Sequence, residues 1–311
     1  GSDSTLSANW PAFTETVSGI EKYEVAIGTS SGGTDVVDWT DNSTNTSFTK
    51  TGLSLSSSTT YYVSARATDV AGNVSTTVTS DGATVDTAAP MVGAVFDGTD
   101  SDIDWTNSTS ILTATWGGFS DALSGIEKYE YAIGTTSGGT DVVDWTDNST
   151  NTIITNTGLT LTNGTAYYIS VRSTDNVGNV STVVSTDGIT VDTDAPVISS
   201  VIEGSLTADI DYQNSDTTLI IVWTGSDAAS GIAQYEYALG TASGEANTVT
   251  WTSAGLDTFT TLTGINLTEG ITYYASARAT DVAENLSAIA SGDGITIDFT
   301  APVAGTVLDG T

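Results

Sequence analysis

The sequence predicts an all-β fold repeated in tandem, and three observations predict it. Ser18, Ser124 and Ser230 each open a copy of the tripeptide Ser-Gly-Ile, a spacing of 106 residues. Residues 69–73 (DVAGN) return in the same register as 175–179 (DNVGN) and 281–285 (DVAEN), and 86–90 (DTAAP) as 192–196 and 298–302. A fixed long period is the signature of a modular array. Second, strong helix formers are sparse and Gly, Ser, Thr, Asn and Asp abundant, which disfavours long helices. Third, Tyr167, Ile169, Val171 and Ser173 alternate with Tyr168, Ser170, Arg172 and Thr174, giving one inward and one outward face as a strand requires.

The second copy shows the elements in order. Strands are predicted at 91–96, 111–116, 128–134, 141–145, 152–161, 166–174 and 179–191, seven runs that are apolar or alternating. Turn chemistry separates them: the Asp- and Ser-rich 97–110, Gly117-Gly118, Gly138-Gly139, 146–151 (TDNSTN), Asn163-Gly164 and 175–178 (DNVG). Seven strands in about 100 residues make one β-sandwich per copy. The units are assigned to 1–90, 91–196 and 197–302. The first unit is expected to lack its first strand, and 303–311 is expected to be the first strand of a fourth. Its 303–310 segment (VAGTVLDG), with Val303 at the head and Gly310 at the end, matches 92–98 (VGAVFDG).

Composition bounds function. Thirty-eight acidic side chains against six basic ones give a net charge of −32. Nucleic acid and anionic membrane surfaces are thereby poor partners, since each phosphate contact needs a Lys or Arg. Two readings of the acid stand: divalent cations as counter-ions, or solubility in a crowded medium. Cys and His are absent, so thiolate chemistry, catalytic triads and zinc sites are out of inventory. A carboxylate pair could still hydrolyse a glycoside, but a small repeated sandwich predicts no deep cleft, and no enzymatic activity is expected. No apolar run of membrane-spanning length occurs, so no membrane insertion is expected. Any secretion or anchoring signal is expected outside this stretch, and Gly1-Ser2 reads as a cloning remnant.

A Trp on the second strand (Trp10, Trp116, Trp223), a Gly-Leu or Gly-Ile step before the sixth (Leu53, Leu159, Ile265) and the Tyr-Tyr-x-Ser-x-Arg pattern of the sixth resemble the fibronectin type III module. The likeness extends to bacterial Ig-like modules of large secreted or surface proteins and covers nearly the whole chain. It implies a seven-stranded Greek-key sandwich, and functions as varied as spacer, adhesin stalk and enzyme accessory domain.

In that topology acids collect at the poles where one unit meets the next. Between units 1 and 2, Asp86, Asp121, Asp175 and Asn179 are expected to converge. Between units 2 and 3 the set is Asp97, Asp100, Asp102 and Asp104 from below, Asp192 and Asp194 from the linker, and Asp227, Asp281 and Asn285 from above. Oxygen ligands at such density suit Ca2+, which takes six to eight of them. Turn chemistry explains the same residues without a metal, because Asp and Asn bond their own backbone. Trp39, Trp145 and Trp251, with Trp105 and Tyr212, are read either as sugar-stacking platforms or as packing residues. Glu24, Glu130 and Glu236 are expected to pair across strands with Arg66, Arg172 and Arg278.

The function expected is a non-catalytic extracellular or cell-surface stalk with adhesive purpose, stiffened by calcium. Accessory spacing or weak glycan binding beside a polysaccharide-degrading enzyme is the second reading. The third is a surface filament built by strand donation, the 303–310 segment pairing with another copy. Partners expected are neighbouring units, glycans or another cell surface.

Overall fold

The computed structural model describes residues 3–99, 101–308 and 310, and these contain strands and turns with no helix. Asp100 and Asp309 therefore lie outside the described residues, as do Gly1 and Ser2. In unit 2, Ala94–Asp97 and Ile153–Thr157 flank Ile111–Gly117 in one sheet. The facing sheet runs Val143–Asp147, Ile126–Gly134, Ala166–Asp175, Ile189–Val191 and then Trp105–Thr106. Unit 3 repeats this with Val197–Glu203, Thr218–Ser226 and Phe259–Thr263 facing Val249–Gly255, Ile232–Gly240, Thr272–Asp281, Ile295–Ile297 and Tyr212–Gln213. Unit 1 pairs Thr5–Asn9 with Ser47–Thr51 against a sheet of Val37–Asp41, Ile20–Gly28 and Thr60–Asp69. This is the Greek-key order of the fibronectin type III-like sandwich, with three strands facing a five-strand path in units 2 and 3 and two strands in the first sheet of unit 1.

Two elements depart from the expected seven. After Asp97 the chain leaves the first sheet, crosses the flank, and joins the second as the two-residue strand Trp105–Thr106, parallel to Ile189–Val191. Gly98 and its counterpart Gly204 make the turn at φ 93, a conformation that a side chain resists. The last strand, expected as one run over 179–191, is broken into Val184–Ser185 and Ile189–Val191. Gly188, at φ 110, forms the bulge against the Tyr168 ring.

Each unit has its own core. Tyr167, Ile169 and Val171 point inward as the alternation predicts with Trp116 buried beside them, and Trp223 is buried in the core of unit 3. Trp116 meets Tyr129 edge-on with centroids 5.9 Å apart, the favoured aromatic geometry. The hydroxyls of Tyr61, Tyr167 and Tyr273 accept the N–H groups of Ser56, Thr162 and Thr268 at 2.9, 2.9 and 3.0 Å, tying each sixth strand to the loop before it.

On the outer face the expected ion pairs form: Arg66 to Glu24 and Arg172 to Glu130 at 3.0 Å, Arg278 to Glu236 at 2.7 Å. The same guanidinium groups lie 4.2, 4.3 and 4.4 Å from the ring centroids of Trp39, Trp145 and Trp251. One face of each ring is thus covered by Arg and packs within the sheet. Tyr212, by contrast, is exposed.

Candidate metal centres

Asp86 sits in the linker, Asp121 in the loop after Ile111–Gly117, and Asp175 at the end of the sixth strand of unit 2. The structure brings one carboxylate oxygen of each within 4.8 Å of the others, and does the same for Asp192, Asp227 and Asp281. The local fold fixes each acid. Asp175 Oδ1 accepts the N–H groups of Val177 and Asn179 at 2.9 and 2.8 Å, and its Oδ2 the Asn179 side chain at 2.7 Å. Asp121 Oδ1 accepts N–H groups from Leu123, Ser124 and Gly125 at 3.0, 2.7 and 3.0 Å. Asp86 and Asp192 cap their linkers by accepting the N–H of Ala88 and of Asp194, both at 3.0 Å.

Three further contacts cross between units. Asn179 donates its side-chain amide to the Asp86 carbonyl at 3.2 Å, and Asn285 donates to the Asp192 carbonyl at 2.8 Å. Asp192 Oδ2 also accepts the Ser230 N–H of unit 3 at 3.0 Å. Docking buries the linker acid: Asp86 and Asp192 are 2 % and 0 % exposed, whereas Asp298, at the same position after unit 3, is exposed.

The electrostatics favour ionised carboxylates at the junctions. Backbone N–H groups of Ser124, Gly125 and Leu123 hold Asp121 below its usual range. Burial is the largest influence on Asp175 and pushes it up, but the side-chain and backbone donors of Asn179 leave it lowered. Burial likewise raises Asp192, and donors from Ser230 and Asp194 outweigh it. Negative charges gathered at one point repel each other unless a cation lies between them. Asp86 Oδ2 is buried with no hydrogen-bond partner among the described residues, an oxygen available to such an ion. These sets fit Ca2+, a hard cation held by oxygen.

The second junction is smaller than expected. Asp97 and Asp102 do not join Asp192, Asp227 and Asp281. They gather instead around Asp187 on the flank of unit 2, because the crossover after Asp97 carries the chain sideways to the other sheet. Asp194 also turns away, accepting the Asn163 side-chain amide at 2.8 Å. Asp104 lines a hollow with Trp105, Val282 and Glu284, facing the next unit without entering its triad.

The flank cluster has a twin in unit 3, Glu203, Asp209 and Asp293, again with one oxygen from each within 4.8 Å. Asp187, Glu203, Asp209 and Asp293 were not among the expected ligands. The signal for two of them is a repeated Asp-Gly at 81–82, 187–188 and 293–294. Burial pushes Asp97 up to about 7, opposed by donors from Thr186 and Gly188 and reinforced by the charges of Asp102 and Asp187. Burial pushes Glu203 up to about 7 as well, with Asp209 and Asp293 adding to it.

Sandwich, repeat and acid-lined junctions together define a tandem array of fibronectin type III-like units. The chain is 32% identical over 308 residues to Exoglucanase B of Cellulomonas fimi, a match over 94% of the chain and 24% of that protein. The chain thus spans about a quarter of that relative's length. No family model matches it. Among solved structures it is similar to the fibronectin(III)-like modules of Clostridium thermocellum CbhA, at 14% identity over 66% of this chain and 94% of that one, with TM-score 0.37. A 1.5-MDa bacterial ice-binding adhesin matches at 19% identity over 96% of this chain and 92% of that one, with TM-score 0.48.

Proposed function

We propose that the chain is a non-catalytic extracellular spacer whose units are locked end to end by calcium at their junctions. The observation that carries this reading is the repeated junction: linker Asp, loop Asp and strand-end Asp converge twice, each time beside an Asn amide reaching across to the preceding unit. An ion there holds ligands from the linker and from the following sandwich at once, so binding it removes hinge freedom between units. The work of such an array is mechanical, setting the distance and direction between whatever it joins.

The match to Exoglucanase B favours one setting, a spacer beside a domain that acts on polysaccharide; an adhesin stalk on a cell surface uses the same mechanics. Small-angle scattering in millimolar calcium and in chelator tests the junctions. A longer maximum dimension in calcium is expected, and superimposable curves overturn the calcium lock. Turnover of polysaccharide, ester or peptide substrates above background would overturn the non-catalytic reading.

A further inference from the structure

A carboxylate deep inside a protein needs a counter-charge or a full set of donors. Asp97 and Glu203 have neither. Both are fully buried, and among the described residues Asp97 Oδ1 and Glu203 Oε2 make no hydrogen bond. Their nearest charged companions are acids, Asp102 with Asp187 and Asp209 with Asp293. No basic side chain is available in unit 3, where Arg278 is the single Lys or Arg and is committed to Glu236 and Trp251.

The two units keep this carboxylate by different means. In unit 2, Thr186 Oγ1 accepts the Ile169 N–H at 3.1 Å, while Asp97 Oδ2 takes the Gly188 N–H at 3.3 Å. In unit 3 the position of Thr186 is Gly292, and Glu203 Oε1 accepts the equivalent N–H, that of Ala275, at 2.9 Å. A Cβ on Gly292 would overlap the Glu203 carboxylate, so the longer acid fits only because that site is bare. Ser80 fills the acceptor role in unit 1, taking the Val63 N–H at 3.1 Å. A hydroxyl therefore suffices for the backbone, and the carboxylate answers to something else. The exposed partners are also placed alike: Asp102 and Asp209 accept the N–H of Asp97 and Glu203 at 3.0 and 2.9 Å through Oδ1.

We propose that the crossovers of units 2 and 3 are a second class of calcium site, formed by Asp97, Asp102 and Asp187 and by Glu203, Asp209 and Asp293. Each site offers one buried oxygen and two exposed carboxylates, an open side through which the ion enters and keeps water ligands. The ion clips the crossover loop to the Asp-Gly bulge of the last strand, and thereby one sheet to the other within a single unit. These centres are separate from the junctions, and either class can exist without the other.

The test is calorimetric titration of the chelated full chain with calcium chloride at pH 8. Of the four acid clusters, the Asp187→Asn, Asp293→Asn double variant should lose the two flank sites and keep the junction sites. The Asp121→Asn, Asp227→Asn variant should do the reverse. Wild-type stoichiometry and affinity in the Asp187→Asn, Asp293→Asn variant overturn the proposal. A second variant, Asp97→Asn with Glu203→Gln, keeps acceptor atoms for Gly188 and Ala275 and removes the charge. It should melt at or above wild type in chelator and below wild type in calcium. An equal difference in both media assigns these acids to backbone hydrogen bonding alone and overturns the site.

Discussion

Arg66, Arg172 and Arg278 each hold two partners, a Glu carboxylate across the strand and a Trp ring beneath the guanidinium. The pairing was legible because strands three and six are neighbours and all three residues recur at the repeat spacing. The ring beneath Arg was not, because its strand position depends on a bulge between Tyr131 and Ile133. Replacing Arg172 by Ala removes an ion pair and a cation–π contact, together about 1 kcal/mol at a part-exposed site; chemical unfolding of unit 2 should show that loss, and an Arg172→Lys change should recover only part of it. Asp97 and Glu203 make a prediction of opposite character. Raised to about 7 in the fold, they bind a proton more tightly folded than unfolded, where Asp and Glu titrate near about 4. The stability this contributes is complete below that unfolded value and is lost as pH climbs through about 7. Asp121, Asp175 and Asp192, held low by donors, contribute above the unfolded value and lose it as pH falls. In chelator the melting temperature should therefore fall from pH 5 to pH 8, with Asp102, Asp187, Asp209 and Asp293 facing the two groups. The Asp97→Asn, Glu203→Gln variant should flatten that slope; an unchanged slope would show that other groups cause it.

At the scale of elements, strands with alternating faces were readable and irregular ones were not. Ile126–Gly134 and Ala166–Asp175 lie within two residues of their expected bounds because each carries an inward row, Tyr129 and Ile133 in the first and Tyr167, Ile169, Val171 and Ser173 in the second. Trp105–Thr106 is too short to show a period, and its pairing depends on a strand some eighty residues further on. That missed crossover is also why Asp97 and Asp102 were assigned to the junction: without it the chain runs straight to the pole. Asp86, Asp121, Asp175 and Asn179 could be grouped because loops at one pole of a sandwich must meet the linker that enters there. The tyrosine contact is another element-scale device. Tyr167→Phe leaves the Thr162 N–H without its acceptor and should cost about 1–3 kcal/mol in unit 2. Urea unfolding would measure it, and the corresponding changes at Tyr61 and Tyr273 should act on their own units.

At the scale of the whole molecule, surfaces between units decide behaviour. Val303, Val307 and Leu308 are exposed, while in unit 1 Trp10, Val63, Ala65 and Val78 line a hollow beside Thr5–Asn9. Pairing of 303–310 from one copy with that edge of another would cover both. Mass should then rise with concentration and cease to do so when 303–311 is deleted; a monomer at high concentration would dismiss the filament. The junctions bear on shape more directly. Each gathers three carboxylates from a linker and the unit beyond it, so calcium bound there is lost whenever the units undock. Mass action then couples binding to docking, adding about 2.7 kcal/mol per site at a hundredfold excess over Kd. Asp281→Ala should abolish that gain at the second junction only, because it removes one ligand and the acceptor that orients Asn285. In calcium the variant should scatter as a stiff pair of units with a swinging third. In chelator it and the wild type should have the same dimensions. A variant as long as wild type in calcium would mean that packing between the units, without metal, holds the array straight.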